Sequence, residues 1–163
     1  MMHVHNELLR NATFGNVYWF TASEDFSIHK LQNEIAKEVG LDFEEEDKRK
    51  RATKLHKGIL RRKQCVIVLD GLSSSFDQDD VGIPSQVKGC KLIITTRSLM
   101  LCRRMDCRET IKIEPLSVAE AETLFKEKLG VKNPVTSGVE EIAEEVVEEC
   151  EGLPSKLLVL LRK

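Results

Sequence analysis

The stretch that most constrains the fold is Cys65-Val-Ile-Val-Leu69, five apolar residues closed by Asp70. It is short enough for a strand, and it offers no polar face to water. Such a run belongs in a strand covered on both sides, at roughly 1.5–3 kcal/mol for each buried side chain. Its neighbours agree. Val17-Tyr-Trp-Phe-Thr21 is β-branched and aromatic and reads as a strand. Ser27 then caps a helix with Ile28, Leu31, Ile35 and Val39 inward, stopped by Gly40. The charge run EEEDKRKR (44–51) reads as a solvated loop leading into a helix with Ala52, Leu55, Ile59 and Leu60 on its apolar side. Lys91-Leu-Ile-Ile-Thr-Thr-Arg97 reads as a further strand, 98–105 as a short helix, and Thr110-Ile-Lys-Ile-Glu114 as a last strand.

From Pro115 onward the pattern is helical. Ser117 with Glu120 forms a capping box before Val118, Ala121, Leu124, Phe125 and Leu129. Ser137 with Glu140 forms a second, Gly152 stops that helix, and Pro154 suits the first turn of another. Residues 1–10 place Met1, Val4 and Leu8 on one face, as a short helix would. Strands alternating with helices predict an α/β fold, a doubly wound parallel sheet over residues 1–115 followed by a small helical subdomain over 116–163.

Charge and cysteine usage narrow the function. The 25 basic and 27 acidic residues leave a net charge of −2, so no global field draws nucleic acid or anionic membrane. No apolar stretch reaches the roughly 18–20 residues that span a bilayer, and MMHVHNELLRN is too polar for a signal peptide. Cys65, Cys90, Cys102, Cys107 and Cys150 are odd in number and lack C-x-x-C spacing, which reads as free thiols in a reducing, cytoplasmic compartment. The scattered histidines offer no zinc set.

In open parallel sheets, ligands gather beyond the carboxyl ends of the strands. Three segments land there: Thr21–Ser23, Asp70, and Thr95-Thr96-Arg97. A carboxylate, a hydroxyl pair and a guanidinium facing one crevice suit a phosphate bound with Mg²⁺. The loop that usually accompanies them, G-x-x-x-x-G-K-[ST], does not occur in the 163 residues.

The order of these blocks resembles the NB-ARC nucleotide-binding module of plant intracellular immune receptors, of the coiled-coil rather than the Toll-type branch. The resemblance rests on VYWFTASEDFSIHKLQNEIAKEVGLDF, CVIVLDGL, KGCKLIITTRS, TIKIEPLSVAEAETLFKEKLG and CEGLPSKL, and it runs over about residues 1–160. It implies a P-loop-NTPase-like sheet whose first strand and phosphate loop are missing from this chain. It implies that Asp70 sits near Mg²⁺, that Arg97 senses the terminal phosphate with Thr96 beside it, and that Gly152, Leu153 and Pro154 line an adenine pocket. The implied ligands are ADP and ATP with Mg²⁺, and the implied role is a slow ATPase switch working with other immune-receptor domains or chains. Gly71 stands where the family commonly has a second acidic residue, Ser73 where this branch has Trp, and Ser155 where it has an apolar residue.

The resemblance carries two further expectations. Without the loop's N–H groups and lysine, nucleotide affinity should be weak or absent in these residues alone. The missing strand is expected between the strands ending at Asp70 and Arg97, so that its loss either leaves two half-sheets or forces those strands to pair directly. A second reading of the chain is a nucleotide-free interaction fragment or truncated gene product.

Overall fold

Strand β2 (Cys65–Asp70) is the centre of a three-stranded parallel sheet in the order β1-β2-β3, where β1 is Asn16–Thr21 and β3 is Cys90–Ile94. This computed structural model describes residues 6–7, 10, 14–22, 26–44, 46–62, 64–84, 87–129 and 144–160. The chain forms two compact units, Met1–Thr110 and Ile111–Lys163.

In the first unit the five apolar residues of β2 are all buried, as an unbroken run requires. Cys65, Ile67 and Leu69 face a core with Tyr18 and Phe20 from β1. That core is closed by Leu31, Ile35 and Val39 at helix α1 (Ile28–Glu38) and by Leu55 and Ile59 of helix α2 (Lys48–Leu60). Val66 and Val68, at the alternate positions, are buried as well. Each helix starts on the residue its sequence supplies. Ser27 accepts from the Lys30 N–H at 3.2 Å, and Asp47 accepts from the Arg49 and Lys50 N–H groups at 3.0 and 2.9 Å. Arg62 reaches back to the Val39 carbonyl at 2.8 Å and satisfies an acceptor at the end of α1.

The serine-rich loop after β2 holds an element that periodicity did not show. Asp77 caps a single turn, α3 (Gln78–Val81), which drives Val81 and Ile83 into the core at 0% exposure. Helix α4 (Leu99–Arg104), capped by Ser98, adds Leu101 to a small cluster with Leu72 and Met105.

Between α1 and α2 lies a buried polar cluster. Gln32 donates to the carbonyls of Lys48 and Asp80 at 3.2 and 3.0 Å and accepts from Arg51 Nε at 3.1 Å. Arg51 also bonds Asn33 and stacks 4.0 Å above the Phe43 ring. A guanidinium 4% exposed is tolerable because its donors are paired.

The structure decides three expectations. First, of the two arrangements open to them, β2 and β3 take the direct pairing, in register from Cys65 with Cys90 through Leu69 with Ile94. Thr95 N–H donates to the Leu69 carbonyl at 2.9 Å and Leu72 N–H to the Thr95 carbonyl at 2.9 Å, continuing the ladder past β3. Second, Thr110–Glu114 forms no strand. Ile111 and Ile113 stand 82% and 84% exposed, because alternating propensity makes a strand only where a ladder accepts it. Third, Leu60, read on the apolar side of its helix, is exposed.

In the second unit, helix α5 (Val118–Leu129) opens on the expected box. Ser117 N–H donates to Glu120 Oε2 at 2.8 Å, and Glu120 N–H donates to Ser117 Oγ at 3.4 Å. Ala121 and Phe125 pack with Val147 and Cys150, which lie in and just after the helical residues 144–149. Helix α6 (Pro154–Leu160) starts on its proline. The Ser137–Glu140 box and most of the helix expected at 1–10 lie outside the described residues.

Candidate functional site

The parallel register brings the strand ends together. β1 and β2 run in step to the pair Thr21–Asp70, and the Ala22 N–H donates to the Asp70 carbonyl at 2.8 Å. One step beyond the Leu69–Ile94 pair, Thr95 lies opposite Asp70. Its hydroxyl donates to Asp70 Oδ1 at 2.5 Å and accepts from the Gly71 N–H at 2.8 Å. Gly71 then turns the chain with φ +80°, in the left-handed region that glycine adopts most readily. The half-buried Asp70 is therefore held by a side chain from the neighbouring strand end.

Thr96 faces a different task. Its hydroxyl accepts from the Ser98 N–H at 3.1 Å, and Ser98 in turn caps α4. Arg97 is exposed and, among the described residues, makes no hydrogen bond or ion pair. Sequence reasoning placed Thr96 beside Arg97 and gave Thr95 no separate part. The missed signal was register: aligning the apolar runs that start at Cys65 and Cys90 sets Thr95 against Asp70. Ser23 lies outside the described residues.

Gly152 and Leu153 occupy the turn before α6 in the second unit, and Pro154 is the first residue of that helix. The Leu116 N–H donates to the Gly152 carbonyl at 2.8 Å, and a Cβ on Gly152 would lie 2.3 Å from the Leu116 carbonyl oxygen. Gly152 is thus set by close packing of two backbone segments. Leu153 is 41% exposed, and Pro154 is exposed.

The donor set fits part of a nucleotide–Mg²⁺ group. A single strand-end carboxylate, steadied by Thr95, suits Mg²⁺, which takes one or two carboxylates and completes its shell with phosphate oxygens and water. An unpaired guanidinium nearby in sequence suits a phosphate oxygen. No cluster of three or more His, Cys, Asp or Glu side chains that could hold a metal by itself occurs among the described residues. Magnesium would therefore come with the phosphates.

Comparison with known proteins points the same way. The family profile described as NB-ARC domain matches residues 1–135. The disease resistance protein UNI of Arabidopsis thaliana is 33% identical over 96% of this chain and 18% of its own length. The disease resistance protein RFL1 of the same plant is 34% identical over 90% of this chain and 17% of its own. The chain thus spans less than a fifth of the length of either relative.

Proposed function

Since the chain belongs to the NB-ARC family, we propose that it is the adenine-nucleotide-responsive switch module of a plant intracellular immune receptor, working in the cytoplasm in the defence response. The observation that supports this most is the strand-end constellation: Asp70 fixed by Thr95, with the unpaired Arg97 two residues further on. Asp70 takes the Mg²⁺ side of the phosphates and Arg97 the terminal phosphate, with Thr96 beside it. Gly152, Leu153 and Pro154 contribute to the adenine pocket. A γ-phosphate that contacts Arg97 in one conformer and not in another biases the equilibrium by that difference in affinity. The partners of the switch are the other receptor domains or chains whose surfaces it exposes or hides. No helix among the described residues is long and apolar enough to cross a membrane.

In the 163 residues alone, ADP affinity is weak, because the constellation supplies one carboxylate and one guanidinium and the sequence holds no Gly-Lys-Ser/Thr loop. Calorimetry of this chain with Mg²⁺ and ADP tests that reading, and micromolar affinity would overturn it. Fusing the phosphate-loop segment of a relative ahead of residue 1 tests the switch itself. Binding should then appear, and Arg97→Ala should weaken ATP more than ADP. Equal losses for both nucleotides would remove Arg97 as the terminal-phosphate sensor.

A further inference from the structure

At the opposite end of the sheet from Asp70, the register pairs Cys65, the first residue of β2, with Cys90, the first residue of β3. Directly paired residues of parallel strands project to the same face, and both thiols belong to the core beneath α1 and α2. Their sulfurs are 3.4 Å apart. Neighbouring strands run about 4.7–4.9 Å apart, which is within the window of roughly 4.4–6.8 Å between Cα atoms that a disulfide bridges. Closing the sulfurs to about 2.05 Å needs side-chain rotation and no shift of the strands.

Access comes from one side. Cys65 is 1% exposed, whereas Cys90 is half-buried. Next to them a cavity of about 450 Å³ is lined by Gly15, Arg62, Gln64, Lys88 and Gly89. Gln64 and Gly89 immediately precede the two cysteines. The remaining close thiols in sequence, Cys102 and Cys107, lie in and after α4, and Cys107 packs against a separate cluster.

We propose that Cys65 and Cys90 form an oxidisable dithiol, a modification site that a small hydroperoxide converts to a disulfide pinning the amino ends of β2 and β3. The thiol–thiol hydrogen bond supports the chemistry. It lowers Cys65 below an ordinary thiol and, with burial, raises Cys90, so loss of one proton leaves a thiolate bonded to a thiol. The thiolate attacks one oxygen of hydrogen peroxide. The O–O bond breaks, and the departing hydroxide takes up a proton to leave as water. The second cysteine then attacks the sulfenic sulfur, the S–O bond breaks, and the hydroxyl departs with the second thiol's proton as water. Two thiols and one peroxide give one disulfide and two waters, the sulfurs losing two electrons and the peroxide gaining them. Closing a loop of about 25 residues shifts the folding equilibrium toward the native state by roughly two to three orders of magnitude on the chain-entropy account.

The test uses the reduced 163-residue chain exposed to hydrogen peroxide and analysed by mass spectrometry. Trypsin cuts after Lys63, Lys88 and Lys91, which places the two cysteines on separate peptides, 64–88 and 89–91. The expected result is an intact chain lighter by two hydrogens, these two peptides linked, and a higher melting midpoint that dithiothreitol reverses. Cys90→Ser should abolish the linked peptide and the rise in midpoint. The double variant Cys102→Ser/Cys107→Ser should keep both. A linkage through Cys102, Cys107 or Cys150, sulfinic acid on Cys90 with Cys65 still reduced, or thiols that stay free in excess peroxide would each overturn the proposal.

Discussion

Replacing Gly82 by alanine tests whether the single turn α3 is held against α2 by backbone contact, and Gly71→Ala supplies the control. Both glycines are left-handed, with φ +93° at Gly82 and +80° at Gly71. An L-residue in that region costs about 1–2 kcal/mol, and the stiffer unfolded chain returns about 0.4–1 kcal/mol. Conformation alone therefore predicts a similar loss, about 1 kcal/mol, at either site. Contact separates them. A Cβ at Gly71 meets nothing closer than the Ala22 carbonyl oxygen at 3.8 Å. At Gly82 it would lie 2.2 Å from the Ala52 carbonyl oxygen and 2.8 and 2.9 Å from the same residue's C and Cα atoms. Those atoms are helix backbone and cannot rotate away, so α3 must retreat by about 1 Å to reach an ordinary C···O contact of about 3.3 Å. Retreat loosens Val81 and Ile83, both at 0% exposure. Overpacking of this kind costs about 1–3 kcal/mol. Gly82→Ala should thus lose about 3 kcal/mol in total, about 2 more than Gly71→Ala. Urea unfolding followed by the fluorescence of Trp19, the sole tryptophan, reads the unit that contains both sites. If the two variants agree within about 0.5 kcal/mol, the close approach to Ala52 does not govern this loop and the reasoning fails.

Two further outcomes follow from polar groups. Arg51→Leu should destabilise the first unit by about 2–4 kcal/mol, because the buried Gln32 loses its donor and Phe43 loses its cation. Gln32→Leu/Arg51→Leu should recover part of that loss in the same urea experiment, and a double variant no better than the single would refute the pairing argument. At the start of α5, hydrogen bonds from the Ser117 side chain and backbone hold the Glu120 carboxyl below its ordinary value of 4.5. A carboxylate whose folded pKa is depressed contributes fully above the unfolded value and is lost as pH falls through the folded one. Helicity followed by circular dichroism should therefore decline as pH drops below 4.5, and Ser117→Ala should lower helicity at neutral pH and flatten that decline. An unchanged profile in the variant would show that the box does not hold α5.

Much of the fold was legible because local patterns and tertiary burial agree. The Cys65–Leu69 run had no polar face and became the central strand; Ser27, Ser117 and Pro154 mark helix starts by chemistry that acts within one turn. The strand-end position of Asp70 followed from that run, and so did the direction in which a site would lie. Pairing was not legible, since hydrogen-bond ladders join residues far apart in sequence. The same β propensity that made a strand of Val17–Thr21 left Ile111 and Ile113 in water, because only the first met a neighbouring ladder. Direct β2–β3 pairing, one of the two arrangements open to those strands, fixed both ends of the sheet at once. It set Thr95 rather than Thr96 on Asp70 at the carboxyl end, and Cys65 on Cys90 at the amino end. The α3 turn was hidden for a similar reason: Val81 and Ile83 join the core formed by β1, β2, α1 and α2, and no spacing within the loop records that packing. The sequence by itself determined which residues become strands, caps and a strand-end carboxylate, since these depend on neighbours within a few residues. Tertiary structure alone decided which strand ends meet, because register is a property of two segments and is written in neither.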